Sequence, residues 1–195
     1  MPIALFSAYD KSKILKFATT LSEMNWHFMA TSGTARVLRN AGITVKSITD
    51  FTGSPEILDG KVKTLHPAVY AGILAKPTPD HLSDLARVNA NMIDLVVIDL
   101  LPFRAIAADS TQTHEAIVDA IDVGGAELVS AAAKNYERVA VVIDSEGQSL
   151  VLNDLSVTGA ISDKTREILA IRAFRYISDY DGRIAEYLEE HKGQG

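Results

Sequence analysis

An α/β fold with a mainly parallel sheet and helices on both faces is predicted, and three observations predict it. Apolar runs of strand length alternate with segments of helical periodicity through the first half of the chain. Turn residues separate them at short intervals. Two later runs, "IDLVVIDL" and "RVAVVI", are apolar enough to be buried on both sides, as central parallel strands are.

The elements follow in order. "IALFSAY" (3–9) reads as a first strand. Residues 10–25 carry Ile14, Leu15, Phe17, Ala18 and Leu21 at helical spacing, with Asp10 as N-cap. "WHFMA" (26–30) reads as a second strand, "TSGTARVLRNAG" (31–42) as a turn and a helix stopped by Gly42, and "ITVKSI" (43–48) as a third strand. This β-α-β-α-β order implies parallel pairing with helices on the faces of the sheet. Residues 49–67 hold Gly53, Pro55, Gly60 and Pro67 with little periodicity. A long irregular segment in a compact domain is often functional. A turn and helix at 76–89, a strand at 93–100, and helices at 113–121 and 122–135 come next. The strand at 138–143 is followed by helical signals from Lys164 to about Lys192, broken near Asp179 to Gly182.

Composition narrows the function. A length of 195 residues suggests one domain, long enough to bury a full core. The net charge of −6 argues against broad nucleic-acid binding, which needs a basic face. Small anions stay open, because local cations decide their binding. With no cysteine there is no disulfide, thiolate metal site or Cys nucleophile. The histidines, His27, His66, His81, His114 and His191, show no ligand spacing, so no metal is expected. No apolar run approaches membrane-spanning length. The chain reads as a cytoplasmic protein.

Three clusters carry candidate chemistry. In "TSGTA", a strand ends and Thr31, Ser32, Gly33 and Thr34 enter a helix. The commoner use of such a turn is a Ser/Thr N-cap. The alternative is a phosphate seat, since helix-start N–H groups and the helix dipole attract anions. In "GKVKTLHP", Lys61 and Lys63 would point the same way if the segment is extended, and Thr64 adds a hydroxyl. They are either a solvated loop or a grip on an anion; His66 more simply orders the loop. In "DVGGAELVSAAAKN", Asp122 precedes a Gly-Gly pair at the expected C-terminal edge of the sheet, and Lys134 ends a helix of small residues. Burial of that lysine would lower its pKa toward an acid/base range, with Asp122 as partner.

Taken jointly, "ALFSAYDK", "ATSGTARVLRNAGI", "ITDFTGSPEILDGKVKTLHPAVYAGILA", "VVIDLLPF", "IDVGGAELVSAAAKN" and "AIRAFRYISDYDGRIAEYL" resemble IMP cyclohydrolase in order and spacing. That is the N-terminal half of the bifunctional enzyme of late purine biosynthesis. The resemblance covers nearly the whole chain. It implies a methylglyoxal-synthase-like three-layer fold, a single domain over 1–195, with 162–195 a helical extension. It implies closure of 5-formamidoimidazole-4-carboxamide ribotide to IMP with loss of water, no cofactor, no nucleic-acid or membrane partner, and a homodimer.

The resemblance also distributes roles. Lys134 would be the main proton-transfer residue, Asp122 would hold the carboxamide side, and Lys63 would polarise the formyl oxygen. Tyr9, Asp10 and Lys11, Thr31, Ser32, Gly33 and Thr34, and Lys61 with Thr64 would hold the phosphate and ribose. Backbone around Ile98, Asp99 and Val123 would line the base site. Four departures cluster there. Leu101 replaces a usual Tyr, Lys61 a usual Arg, Ser32 a usual Gly, and Asp99 a usual Asn, the last adding negative charge near the base. Tyr9 stands where the family usually has Ser. A non-catalytic ribotide-binding domain on the same fold is the second expectation; a methylglyoxal synthase fits "KTLHP" and "AAAKN" less well. The chain stops where the bifunctional enzyme continues into a formyltransferase domain, which fits either a stand-alone enzyme or a piece of the longer one.

Overall fold

Five parallel strands form the centre of the molecule, in the order β3-β2-β1-β4-β5. The computed structural model describes residues 1–192. The strands are β1 (Ile3–Ala8), β2 (His27–Ala30), β3 (Val45–Ser47), β4 (Leu95–Asp99) and β5 (Ala140–Val142). Register pairs Leu5 of β1 with Met29 of β2 on one side and Val96 of β4 on the other. Leu5, Phe6, Val96, Val97, Val141 and Val142 lie at the centre of the core, each at most 1% exposed. Their β-branched and aromatic shapes suit a sheet covered on both faces.

Chain direction fixes where the helices go. From β1 the chain steps outward through α1 (Ser12–Glu23) to β2 and through α2 (Ser32–Asn40) to β3. It then returns past β1 to β4, through α3 (Ile48–Thr52), a short 3-10 turn (Leu58–Gly60), α4 (Pro67–Leu74) and α5 (Pro79–Arg87). The right-handed rule for parallel crossovers puts steps in opposite directions on opposite faces. So α1 and α2 cover one face. The other receives α6 (Phe103–Ala107), α7 (His114–Asp119) and α8 (Val123–Lys134), which lead to β5. After β5, α9 (Ser145–Thr158) packs on α1, and α10 (Asp163–Glu190) packs on α8 and β5. The reversal of direction makes a switch point between β1 and β4. In open α/β sheets, ligands bind in the crevice beyond the strands' carboxyl ends at such a point.

Several expectations are corrected. Residues 49–67 are not wholly irregular, since α3 and the 3-10 turn fall within them. Helix α10 runs unbroken through Asp179 to Gly182. Arg183 pairs with Asp179 one turn back, and Tyr180 within the expected break and Tyr187 beyond it are buried. Those contacts outweigh the roughly 1 kcal/mol that Gly182 costs a helix. Asp10 is not the N-cap of α1. That position belongs to Lys11, while Asp10 Oδ1 accepts from the Ser12 N–H (3.0 Å) and hydroxyl (2.6 Å). The Ser12 bonds hold the Asp10 carboxyl below the usual carboxylate range.

Candidate active site

A cavity of about 360 Å³ opens at the switch point. Its floor is the end of β1 (Ser7, Ala8, then Tyr9) and of β4 (Asp99, then Leu101). Its walls are the start of α2, the segment from Asp59 to Thr64, and the start of α8.

The α2 wall decides between the two uses of "TSGTA". Thr31 is extended at the N-cap position, yet its hydroxyl caps no N–H group. It donates instead to Thr34 Oγ1 (3.3 Å), which accepts from the Ala8 N–H (3.2 Å). Both threonines are buried, and their hydroxyls tie α2 to the end of β1. The first-turn N–H groups therefore receive no side-chain cap, the arrangement that favours an anion over the simple N-cap. Lys11 faces them: a Cβ added at Gly33 would stand 3.8 Å from Lys11 Cε. The Lys11 ammonium donates to the Tyr9 carbonyl at 2.8 Å.

The lysine wall differs from the extended pair expected. Leu58, Asp59 and Gly60 all have left-handed backbone (φ 52°, 56° and 83°). Lys61 follows in helical geometry (φ −66°, ψ −23°). The two lysines line the same cavity, and their ammonium groups have different neighbours. Lys61 Nζ pairs with Asp119 Oδ1 at 2.9 Å, and that bond raises the lysine's pKa. Lys63 Nζ lies over Gly60, where an added Cβ would be 3.2 Å from it and 3.3 Å from Glu56 Oε2. Glu56 also accepts from the Ser32 hydroxyl. A side chain on Gly60 would thus intrude between a cation and an anion. Thr64 is 3% exposed, with its hydroxyl against the α8 start, where a Cβ on Gly124 would be 2.8 Å away. His66 accepts from the Ala68 N–H (3.2 Å) and caps α4 ahead of Pro67.

The third wall starts at Asp122. It is the N-cap of α8, with Oδ1 accepting from the Gly125 N–H at 2.9 Å. Lys134 closes the same helix at its far end. Twelve residues at about 1.5 Å each put it about 18 Å along the axis from Asp122. It is exposed and does not line the cavity, so it is neither buried nor partnered by Asp122 as expected. The physical reason is that α8 is a crossover, which must carry the chain back to the opposite edge of the sheet before β5.

The cavity thus brings together Tyr9, Lys11, Thr31, Gly33, Thr34, Lys61, Lys63, Thr64, Asp99, Leu101, Asp122 and Val123. Asp10, Ser32, Ile98 and Lys134 are not among its lining residues. Asp10 turns to Ser12 and Ser32 to Glu56, while Ile98 is 2% exposed in the core. Asp99 does not add a loose negative charge. Its carboxylate accepts from the Asp10 N–H (2.7 Å) and Lys13 Nζ (2.8 Å), fastening the start of α1 to β4. Leu101 also borders a second depression with Phe103, Tyr176 and Tyr180. Burial pushes the half-buried Tyr176 phenol there up to about 12.

Sequence reasoning missed Asp59 and Asp119, which line the cavity, and Glu56, which borders it beside Gly60. None has a local signature, and each is brought there by folding next to a lysine or hydroxyl. Among the described residues, no group of His, Cys, Asp and Glu can hold a metal ion. No helix among them is long and apolar enough to cross a membrane.

Known proteins resemble this chain in sequence and fold. The family description "MGS-like domain" matches residues 13–127. The chain belongs to the MGS-like domain family. A second description, "AICARFT/IMPCHase bienzyme", matches residues 132–195 beyond the MGS-like part. The chain is 44% identical over 193 residues to the bifunctional purine biosynthesis protein PurH of Acetivibrio thermocellus. It is 41% identical over 192 residues to PurH of Streptococcus equi subsp. zooepidemicus. Each alignment covers 98% of this chain, which spans only 37% of the relative's length. The crystal structure of ForH superposes with a TM-score of 0.77 at 34% identity, covering 96% of this chain and 98% of ForH. The MGS-like match takes in the cavity-lining residues from Thr31 to Gly125, and those from Ser7 to Lys11 precede it.

Proposed function

We propose that this MGS-like domain is an IMP cyclohydrolase, closing the six-membered ring of IMP from 5-formamidoimidazole-4-carboxamide ribotide. The observation that carries the reading is that Lys63 and Asp122 line one cavity with an uncapped helix start and Lys11. Likeness to PurH proteins over 98% of the chain supports it.

The chemistry needs those groups. The carboxamide nitrogen attacks the formyl carbon, forming a C–N bond as the carbonyl becomes a C–O single bond. That nitrogen loses one proton and the formamido nitrogen another. Both protons end on the oxygen, which leaves as water. Lys63 stabilises the charge developing on that oxygen, as a fixed cation in a secluded cleft does. Asp122 takes the carboxamide proton. The α2 start, Lys11 and Lys61 hold the phosphate, which brings the two arms of the imidazole into reacting distance. A purified sample incubated with the formamido ribotide should show the absorbance change of ring closure. A folded sample with no turnover above background would remove this reading.

Two variants test the assignment of residues. Asp119 holds Lys61 in an exposed pair, and such pairs are worth up to about 1 kcal/mol. Asp119→Asn releases the lysine, so IMP should bind up to about fivefold more tightly by calorimetry. Lys134 lies outside the cavity, so its implied proton-transfer role is not carried forward. Lys134→Ala should leave IMP affinity within about twofold, as exposed substitutions do.

Leu101, which offers no hydroxyl where the family usually has Tyr, favours a second reading: a ribotide-binding domain without catalysis. IMP binding by calorimetry together with absent turnover would select it. A homodimer in the cytoplasm belongs to the proposal as well, and sedimentation of the purified chain tests the dimer.

A further inference from the structure

We propose that Tyr180 is a positioning residue for Asp122, so that helix α10 completes the reaction site from behind. The inference rests on the role given to Asp122 above.

Asp122 sits at the centre of a tight turn. Its backbone (φ −88°, ψ 83°) and the Val123 N–H bond to the Ile121 carbonyl (3.2 Å) are those of an inverse γ-turn. At the N-cap of α8, the Asp122 N–H has no helical carbonyl to bond. The Tyr180 hydroxyl oxygen supplies the acceptor, at 2.8 Å across 58 positions of sequence. The side chain is fixed separately, by the Gly125 N–H on Oδ1. Oδ2 stands over Gly125, where a Cβ would approach it to 2.7 Å. One bond to the backbone and one to the carboxylate thus fix Asp122 in the cavity wall.

Tyr180 is itself held rigidly. It is 8% exposed, and its ring meets buried Phe103 edge-on, with centroids 6.3 Å apart. Phe103 meets Tyr187 edge-on in turn, at 5.8 Å, so two turns of α10 grip the same ring. Burial raises the Tyr180 pKa; the bond from the Asp122 N–H works against it, and the Asp122 charge adds to it. A tyrosine serving the core alone would need only its ring. The hydroxyl spans to the one residue of the α8 start that carries a cavity-lining carboxylate.

The test is Tyr180→Phe in the full chain, which keeps the ring on Phe103 and removes the acceptor. Ring closure should lose about 10- to 100-fold in kcat, with KM within about twofold, the pattern of a displaced catalytic group. In an Asp122→Asn background, Tyr180→Phe should cause no further loss. Amide exchange at Asp122, followed by NMR, should accelerate about tenfold or more. An unchanged kcat, a full second loss in the Asp122→Asn background, or unchanged exchange would each overturn the proposal. Should the native chain lack turnover altogether, the cyclohydrolase reading falls alone. The exchange rates of the same two proteins then decide whether Tyr180 holds Asp122.

Discussion

Lys63→Met is expected to lower kcat for ring closure about 100- to 1000-fold while IMP affinity stays within about threefold. That is the loss seen when one group stabilising an oxyanion is removed. Methionine keeps the length of the stem and the packing beside Gly60, so the change isolates the charge. Lys63 suits this test because it makes no ion pair among the described residues, while Lys61 is engaged by Asp119. The phosphate end therefore keeps its cations, Lys11 and Lys61, in the variant. Steady-state rates and calorimetry on the same preparation separate the two effects. A kcat within threefold of the native value would take Lys63 out of the chemistry.

Gly125→Ala is expected to cost about 1–3 kcal/mol of stability and to abolish most turnover. The added Cβ would lie 2.4 Å from Leu100 Cδ2 and 2.7 Å from Asp122 Oδ2. Leu100 is 3% exposed and has little room to yield, so the start of α8 must shift. A shift near 1 Å at Asp122 is enough for about a 100-fold loss in rate. Gly182→Ala is the control. Its Cβ meets nothing within 4 Å in the middle of α10, so the same substitution should there stabilise by about 0.5–1 kcal/mol. Thermal melts of both variants read the opposite signs.

How far the site was legible depended on the range of each signal. The small residues of "TSGTA" and the Asp before a Gly-Gly pair both read as helix starts, and both segments line the cavity. These are local features, set by hydrogen bonds within a few residues. Lys61 and Lys63 were read as an extended pair, and the structure gives them separate neighbours, Asp119 and the Gly60 turn. Three left-handed residues before Lys61 break that pattern, and only Gly60 among them announces it. Asp99 was expected to load the base site with charge, and Lys13 neutralises it from the next helix.

By itself the sequence determined the alternation of strands and helices, the parallel sheet it implies, and the three segments that supply the cavity walls. Those follow from apolar periodicity and from turn residues, which act on neighbours along the chain. The tertiary structure decided the rest: that Lys134 stands at the far end of α8 from Asp122, that Asp119 lines the cavity with Glu56 beside it, and that Tyr180 reaches the Asp122 backbone from the last helix. A crossover helix separates its two ends by its full length, while folding joins residues dozens of positions apart. Neither distance is encoded in any one stretch of residues.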